Sequence, residues 1–409
     1  MVSIVTLSKK VLLTIAFALS VQGAAIPADD GQKTPGFISL DFEVTHHTGH
    51  KHGNFTHGPY YLVEHNSKRD GYINVQLYNE DVSYSADITV GSNNQQQNVI
   101  IDTGSSDLWV VDSSATCQAQ SGEPSDYCKG SGTYSPGSST SVQKLGTAFN
   151  IAYGDGSSSK GTWVKDTVGI SGVKITGQQL GDVTSTSVEQ GILGIGLNTN
   201  EASSSVYDNV PITLKKQGYI STNAYSLYLN SPSATSGTLI LGGIDNDKYS
   251  GSLVTLPLTS STELRITTNS VTVGSKTVNI NAGLLLDSGT TLTYLQSSVV
   301  SSIASAIGNG ISYDSSIGAY IWSCNQSGSL TYNFPQGLKI TVPYSDLTVP
   351  LYYSDGTVAD QCAFGILPDS ANILGDNFLR HAYIAYNLDA KTVGLAPVVY
   401  TSSSSITTF

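Results

Sequence analysis

The sequence predicts a mostly β chain built from two duplicated lobes. Three observations carry this. The 409 residues hold only 12% charged side chains, and Ser, Thr, Gly and Tyr fill the difference, a composition suited to strands and turns. Apolar and polar residues alternate in short runs bounded by Gly, Asn, Asp and Ser. The chain also repeats itself. Ile101-Asp102-Thr103-Gly104-Ser105-Ser106 is answered by Leu286-Asp287-Ser288-Gly289-Thr290-Thr291, and each is followed at similar distance by Ile-Leu-Gly, at 192–194 and at 373–375.

Taken in order, Lys9-Lys10 precede the apolar run Val11 to Leu19, and small residues follow at Gly23, Ala24 and Ala25. The run is too short for a bilayer span and predicts a signal peptide over residues 1–24. No later stretch reaches membrane length and the C-terminus is polar, so a secreted, extracellular product with no membrane partner is expected. Residues 25–69 differ in composition. They hold six of the seven histidines, His46, His47, His50, His52, His57 and His65, and end in Lys68-Arg69. This predicts a pro-segment, removed by a dibasic-specific processing protease. The histidines fit a pH switch, a metal-binding tract or a solvated tail of low order; with no HExxH helix pattern, the switch is preferred to the metal.

The remainder reads as strand after strand. Ala86 to Val90, Phe149 to Tyr153, Val168 to Ile175, Tyr225 to Leu229 and Thr238 to Leu241 carry the pattern, with short helices near Val210 to Gln217 and Ser297 to Ile307. A boundary in the loop-rich stretch from Gly242 to Gly251 divides an N-terminal lobe, 70–247, from a C-terminal lobe, 248–409.

Composition excludes several functions. The net charge is −12, with only Arg69, Arg265 and Arg380 as arginines, so no basic patch exists to hold nucleic acid. So acidic a chain loses charge as its carboxylates protonate, which fits an acidic working environment. Four cysteines in a secreted chain suit two disulfides, Cys117–Cys128 and Cys324–Cys362, and lack the spacing of a zinc site. No metal is expected. After residue 69 only His381 remains, and no GxSxG elbow is present, which argues against a serine hydrolase. Asn325-Gln326-Ser327 is a candidate glycosylation sequon.

Two aspartates delivered by apolar strands into matching turns predict paired carboxylates. Held about 3 Å apart, two carboxyls cannot both ionise, so one serves as base and the other as acid. Gly104 and Gly289 let the backbone approach, while Ser105 and Thr290 can fix the carboxylates' outer oxygens.

Here the sequence resembles the pepsin family of aspartic endopeptidases, and most of all its secreted yeast members of the candidapepsin type. The resemblance runs through Ile101 to Val110, Leu286 to Thr291, Gly191 to Gly196, Ile373 to Arg380, and the stretch Ile151-Ala152-Tyr153-Gly154-Asp155-Gly156-Ser157. It implies a bilobal pepsin-like fold, with β-barrel-like lobes and the active cleft between them, and a flap hairpin whose Tyr153 bonds Trp109. Asp102 and Asp287 would be catalytic, with Asp287 usually the base and Asp102 the proton donor. Gly104 and Gly289 would hold the substrate backbone, and Gly154, Thr290, Ile192, Thr291 and Tyr294 would contact it. Asp155 would accept a lysine beside the scissile bond. Asp107 and Asp376 read as structural. The resemblance implies no cofactor, a monomer, an extended polypeptide substrate and inhibition by the chain's own pro-segment.

Overall fold

The computed structural model describes residues 36–46, 62–63, 82–118, 124–353 and 358–409. The expected signal peptide, the Lys68-Arg69 pair and all the pro-segment histidines except His46 lie outside these residues.

Among the described residues the largest sheet has thirteen strands. Half of it is the N-terminal lobe. From Val82–Val90 the order runs through Gln95–Asp102, Gly191–Gly194, Leu108–Cys117 and Val173–Thr186 to Ser158–Ile170. This last strand pairs back onto Val82–Val90 through Ile88↔Ile170 and Val90↔Val168. Six strands thereby close on themselves, which removes exposed edges. The stretch expected as one strand over Val168 to Ile175 is instead a hairpin. Ser171 and Gly172 take φ of +44° and +83°, the positive values that a tight two-residue turn requires.

The other half of the sheet is common to both lobes. Beyond Val82–Val90 lie Ile38–His46, Ser236–Leu241, Ala224–Tyr228, Ala382–Asn387, Thr392–Pro397 and Val254–Pro257. A division at residues 247/248 thus separates halves of the sequence while this sheet spans both. Ile38–His46 falls in the expected pro-segment, yet it is a fully inserted strand. It pairs antiparallel with Ser236–Leu241 on one side and Val82–Val90 on the other. Its alternation explains the placement. Ile38, Leu40, Phe42 and Val44 are buried, each worth roughly 1.5–3 kcal/mol of apolar burial.

The C-terminal lobe is built from two further sheets. Seven strands run Lys339–Pro343, Ser329–Asn333, Arg265–Val273, Lys276–Leu286, Ile373–Leu374, Thr293–Leu295 and Ile366–Pro368. Five more run Ile311–Asp314, Ala319–Ser323, Val358–Phe364, Thr348–Tyr353 and Leu62–Val63. The helices Val210–Lys216 and Ser297–Ile307 form where expected. Cys117–Cys128 and Cys324–Cys362 are disulfide-bonded, with Cα separations of 5.5 and 5.0 Å.

The internal repeat becomes a shared construction. Gln95–Asp102 pairs parallel with Gly191–Gly194, Asp102 opposite Gly194; Lys276–Leu286 pairs parallel with Ile373–Leu374, Leu286 opposite Leu374. In each lobe an Ile-Leu-Gly strand flanks the strand that ends at the aspartate.

Candidate active site

The two aspartates meet where the lobes face each other. Asp102 and Asp287 are 5% and 8% exposed, and their carboxyl groups lie side by side, Asp102 acting directly on Asp287. Their surroundings match atom for atom. The Gly104 amide donates to Asp102 Oδ1 at 2.7 Å and the Ser105 hydroxyl to Oδ2 at 2.5 Å. The Gly289 amide donates to Asp287 Oδ1 at 2.9 Å and the Thr290 hydroxyl to Oδ2 at 2.7 Å. Each carboxyl is thus oriented by its own turn, with lone pairs left for its partner and for a water.

Glycine is required at two of these positions. A Cβ on Gly104 would stand 2.5 Å from Asp287 Oδ1, and one on Gly289 would stand 2.7 Å from Asp102 Oδ1. The expected close backbone approach is therefore reciprocal, each turn making room for the opposite carboxyl.

Behind the carboxyls the turns are crosslinked by Thr103 and Ser288, a pair the sequence reading did not single out. The Thr103 hydroxyl donates to the Leu286 carbonyl at 2.8 Å and accepts from the Ser288 amide at 2.9 Å. The Ser288 hydroxyl donates to the Ile101 carbonyl at 2.8 Å and accepts from the Thr103 amide at 3.2 Å. These four bonds are buried and fix the two turns relative to each other. The signal was available: both motifs carry a hydroxyl immediately after the aspartate.

Burial, and next the charge of Asp102, push the Asp287 carboxyl up to about 7; its bonds to Thr290 and Gly289 pull the other way. The pair therefore holds one proton well above the usual carboxylate range. The upward push on Asp287 runs opposite to the family's usual assignment, which makes Asp287 the base. In so close a pair the proton moves between partners, so the dyad is the titrating unit.

The surrounding cleft encloses about 960 Å³, a volume suited to several side chains of a ligand. Of the residues expected to contact substrate, Gly104, Gly289, Thr290, Tyr153, Gly154, Asp155, Ile192 and Tyr294 line it, as does Ser105. Thr291 does not line the cleft. It is 6% exposed, and its carbonyl accepts the Asn377 amide at 3.1 Å.

Over the cleft, Gln143–Ala152 and Ser158–Ile170 form a hairpin with Ala152 opposite Ser158. Tyr153 begins its turn, and Trp109 Nε1 donates to the Tyr153 hydroxyl at 2.7 Å. Burial, followed by the charge of Asp102, raises the Tyr153 phenol well above its ordinary value, so it stays neutral and bonds as a hydroxyl. Asp155 is exposed at the hairpin tip. Its Oδ1 accepts the Ser157 amide at 2.8 Å and hydroxyl at 2.7 Å.

Sequence reasoning also missed Arg265, the one cationic side chain among the described residues that lines the cleft. Its Nε donates to Glu263 at 2.7 Å, and Nη1 donates to the carbonyls of Ala371 and Asn372 at 3.0 and 2.9 Å. The guanidinium thus braces the segment entering Ile373–Leu374, beneath Asp287. No local pattern marks it, since its partners lie a hundred residues away. His381 sits apart from the cleft, buried and paired with Asp346 at 2.8 Å.

A profile of the eukaryotic aspartyl protease family matches residues 83–398. The chain belongs to that family. It is also 52% identical over 414 residues to secreted aspartic protease 8 of Candida albicans, covering the whole of both chains. Candidapepsin-3 of Candida albicans is 52% identical over 96% of this chain and 97% of its own, and candidapepsin-1 is 50% identical over 97% and 98%. This aspartyl protease is therefore a hydrolase of the aspartic endopeptidase type, acting on polypeptides, and like these relatives it is secreted. The mostly β, bilobal pepsin-like fold and the family resemblance read from the two aspartate motifs are both borne out.

Proposed function

We propose that this aspartyl protease hydrolyses peptide bonds in acid by general acid/base activation of one water between Asp102 and Asp287. It is made as a zymogen cut after Lys68-Arg69. The single observation that carries the mechanism is the side-by-side carboxyl pair, held by two matching sets of donors. The ionised carboxyl takes a proton from the water as its oxygen attacks the scissile carbonyl. The protonated carboxyl gives its proton to the carbonyl oxygen, producing a neutral tetrahedral diol. The newly protonated carboxyl then gives its proton to the nitrogen while the other, now ionised, takes a proton from a diol hydroxyl, so the C–N bond breaks and the dyad is again singly protonated. No cofactor is required for this cycle.

The substrate is an extended polypeptide of about six to eight residues, bound as an added strand. Gly104 and Gly289 hold its backbone, and the flap carrying Tyr153 shuts out water. Asp155 accepts a lysine beside the scissile bond: its Oδ1 is engaged by Ser157, and the exposed carboxylate lines the cleft. The pro-segment inhibits until cleaved, the enzyme works as a monomer, and Asn325, exposed beside the Cys324 disulfide, carries a glycan.

Secreting Asp102→Asn and Asp287→Asn tests the mechanism. Each should lose at least about 10³-fold in proteolysis at acidic pH while remaining folded; full activity in either overturns it. Asp155→Thr tests the lysine reading. Cleavage after Lys should fall about tenfold or more while cleavage after Leu or Phe holds; an equal loss on both rejects it.

A further inference from the structure

The side chain of Asp107 is absorbed by none of the chemistry above. It lies five residues after Asp102, in the same turn, and is 1% exposed. A carboxylate so buried needs partners, and both come from one segment. Oδ2 accepts the Ala202 amide at 2.8 Å, and Oδ1 accepts the Tyr207 hydroxyl at 2.7 Å. One carboxylate thus grips two points of residues 198–207.

That segment has a particular place. At its start, the Asn200 amide group donates to the Gly104 carbonyl at 3.4 Å, in the catalytic turn itself. The Thr199 hydroxyl donates to the Ser261 carbonyl at 2.5 Å, in the stretch between Val254–Pro257 and Arg265–Val273 of the other lobe. Asn200 and Ala202 line the cleft, as does Glu263 beside the Ser261 contact. At its end, Tyr207 packs edge-on against Trp163 at 5.3 Å, and Trp163 against Phe149 at 4.8 Å. Phe149 belongs to the strand that rises into the flap. The segment therefore runs from the base of the flap, past the catalytic turn, to the opposite lobe.

We propose that Asp107 is a positioning residue that docks this segment as a strap across one end of the cleft, and that its docking governs how tightly extended substrates bind. The chemistry stays with the dyad. One feature fits the strap to an acid medium. Glu201, within it, has its carboxyl pushed up to about 8 by burial, and Asp107 and Asp208 add like charge; the Tyr207 amide opposes the shift at 2.8 Å. In acid Glu201 is neutral and adds no like charge beside Asp107, whose own carboxyl is also pushed up by burial against its bonds to Ala202 and Tyr207. Lys216 holds Asp208 at 2.7 Å.

The test compares two peptides with the same scissile bond, one of four residues and one of eight, on the mature enzyme and on Asp107→Asn. Asparagine keeps the volume but turns an N–H toward one of the two donors. KM for the long peptide should rise about 5–10-fold, the loss of one charge-assisted hydrogen bond. Its kcat, and both constants for the short peptide, should change less than about twofold. Tyr207→Phe, which leaves the carboxylate in place, and Thr199→Val, which frees the far end, should show the same split. If Asp107→Asn does not fold, these two decide. Equal losses on both peptides, a fall confined to kcat, or an unchanged KM for the long peptide would overturn the proposal.

Discussion

The two aspartate turns are near copies for five positions and then part. Asp102 and Asp287, Gly104 and Gly289, and Ser105 and Thr290 make the same bonds. Where the first turn has Asp107 and Trp109, the second has Leu292 and Tyr294. Asp107 grips the strap and Trp109 holds the flap tyrosine. Leu292 is simply buried against its neighbours, and Tyr294 faces the cleft. The symmetric part holds two like carboxyls in matching cradles. Just beyond it the copies differ: the first lobe's turn reaches the hairpin over the cleft and the second's lines the cleft wall.

The largest effects should come from the symmetric part, and they should be similar on both sides. Gly104→Ala and Gly289→Ala each drive a methyl group into the opposite carboxyl. Each should cost about 10² or more in kcat, since a displacement near 1 Å suffices for that. Steady-state kinetics on one uncharged peptide would show it; activity within threefold of wild type in either would deny the reciprocal approach.

Smaller effects should separate the lobes. Trp109→Phe removes the donor to Tyr153 and should lower kcat/KM about tenfold by loosening the flap. Tyr294→Phe keeps the ring on the cleft wall and should change it less than about twofold. Equal effects would mean that the two positions had not specialised.

The pH dependence of stability sharpens the same contrast. Asp287 and Asp182 are each pushed up to about 7, chiefly by burial, with Asp102 adding to the first and Asp112 to the second. Folding therefore binds protons that the unfolded chain, with carboxyls near 4, releases. The stabilisation is complete below about pH 4 and is lost as pH rises through 7. A thermal melt should show Tm falling by about 10 °C between pH 4 and pH 8. Asp182→Asn should flatten that slope through the N-terminal lobe alone; an unchanged slope would put the linkage elsewhere.

Most of the site was legible because it is written locally. An apolar strand, one aspartate and a turn of small residues are contiguous, and so are the Ile-Leu-Gly strands and the flap turn. The disulfide partners could be read from compartment and spacing. What escaped depends on distant partners. Arg265 braces carbonyls at 371 and 372, and Tyr207 reaches back to Asp107; neither has a pattern of its own. Asp107 was visible within its motif as a structural residue, but only the fold shows what it holds. Ser171-Gly172 was misread because a run of alternating residues hides a two-residue turn when both flanks are strands.

Ile38–His46 has a consequence for release. Its bonds to Val82–Val90 and Ser236–Leu241, and its four buried apolar side chains, do not depend on the peptide link at residue 69. A cut there would leave every one of them in place. It would turn a tethered strand into a bound peptide, exchanging a fixed local concentration for whatever the surroundings supply. Within a crowded secretory compartment that peptide would stay where it is. Outside the cell, dilution would favour its departure, so the distance travelled after the cut, rather than the cut alone, would set when the sheet beneath the cleft is vacated.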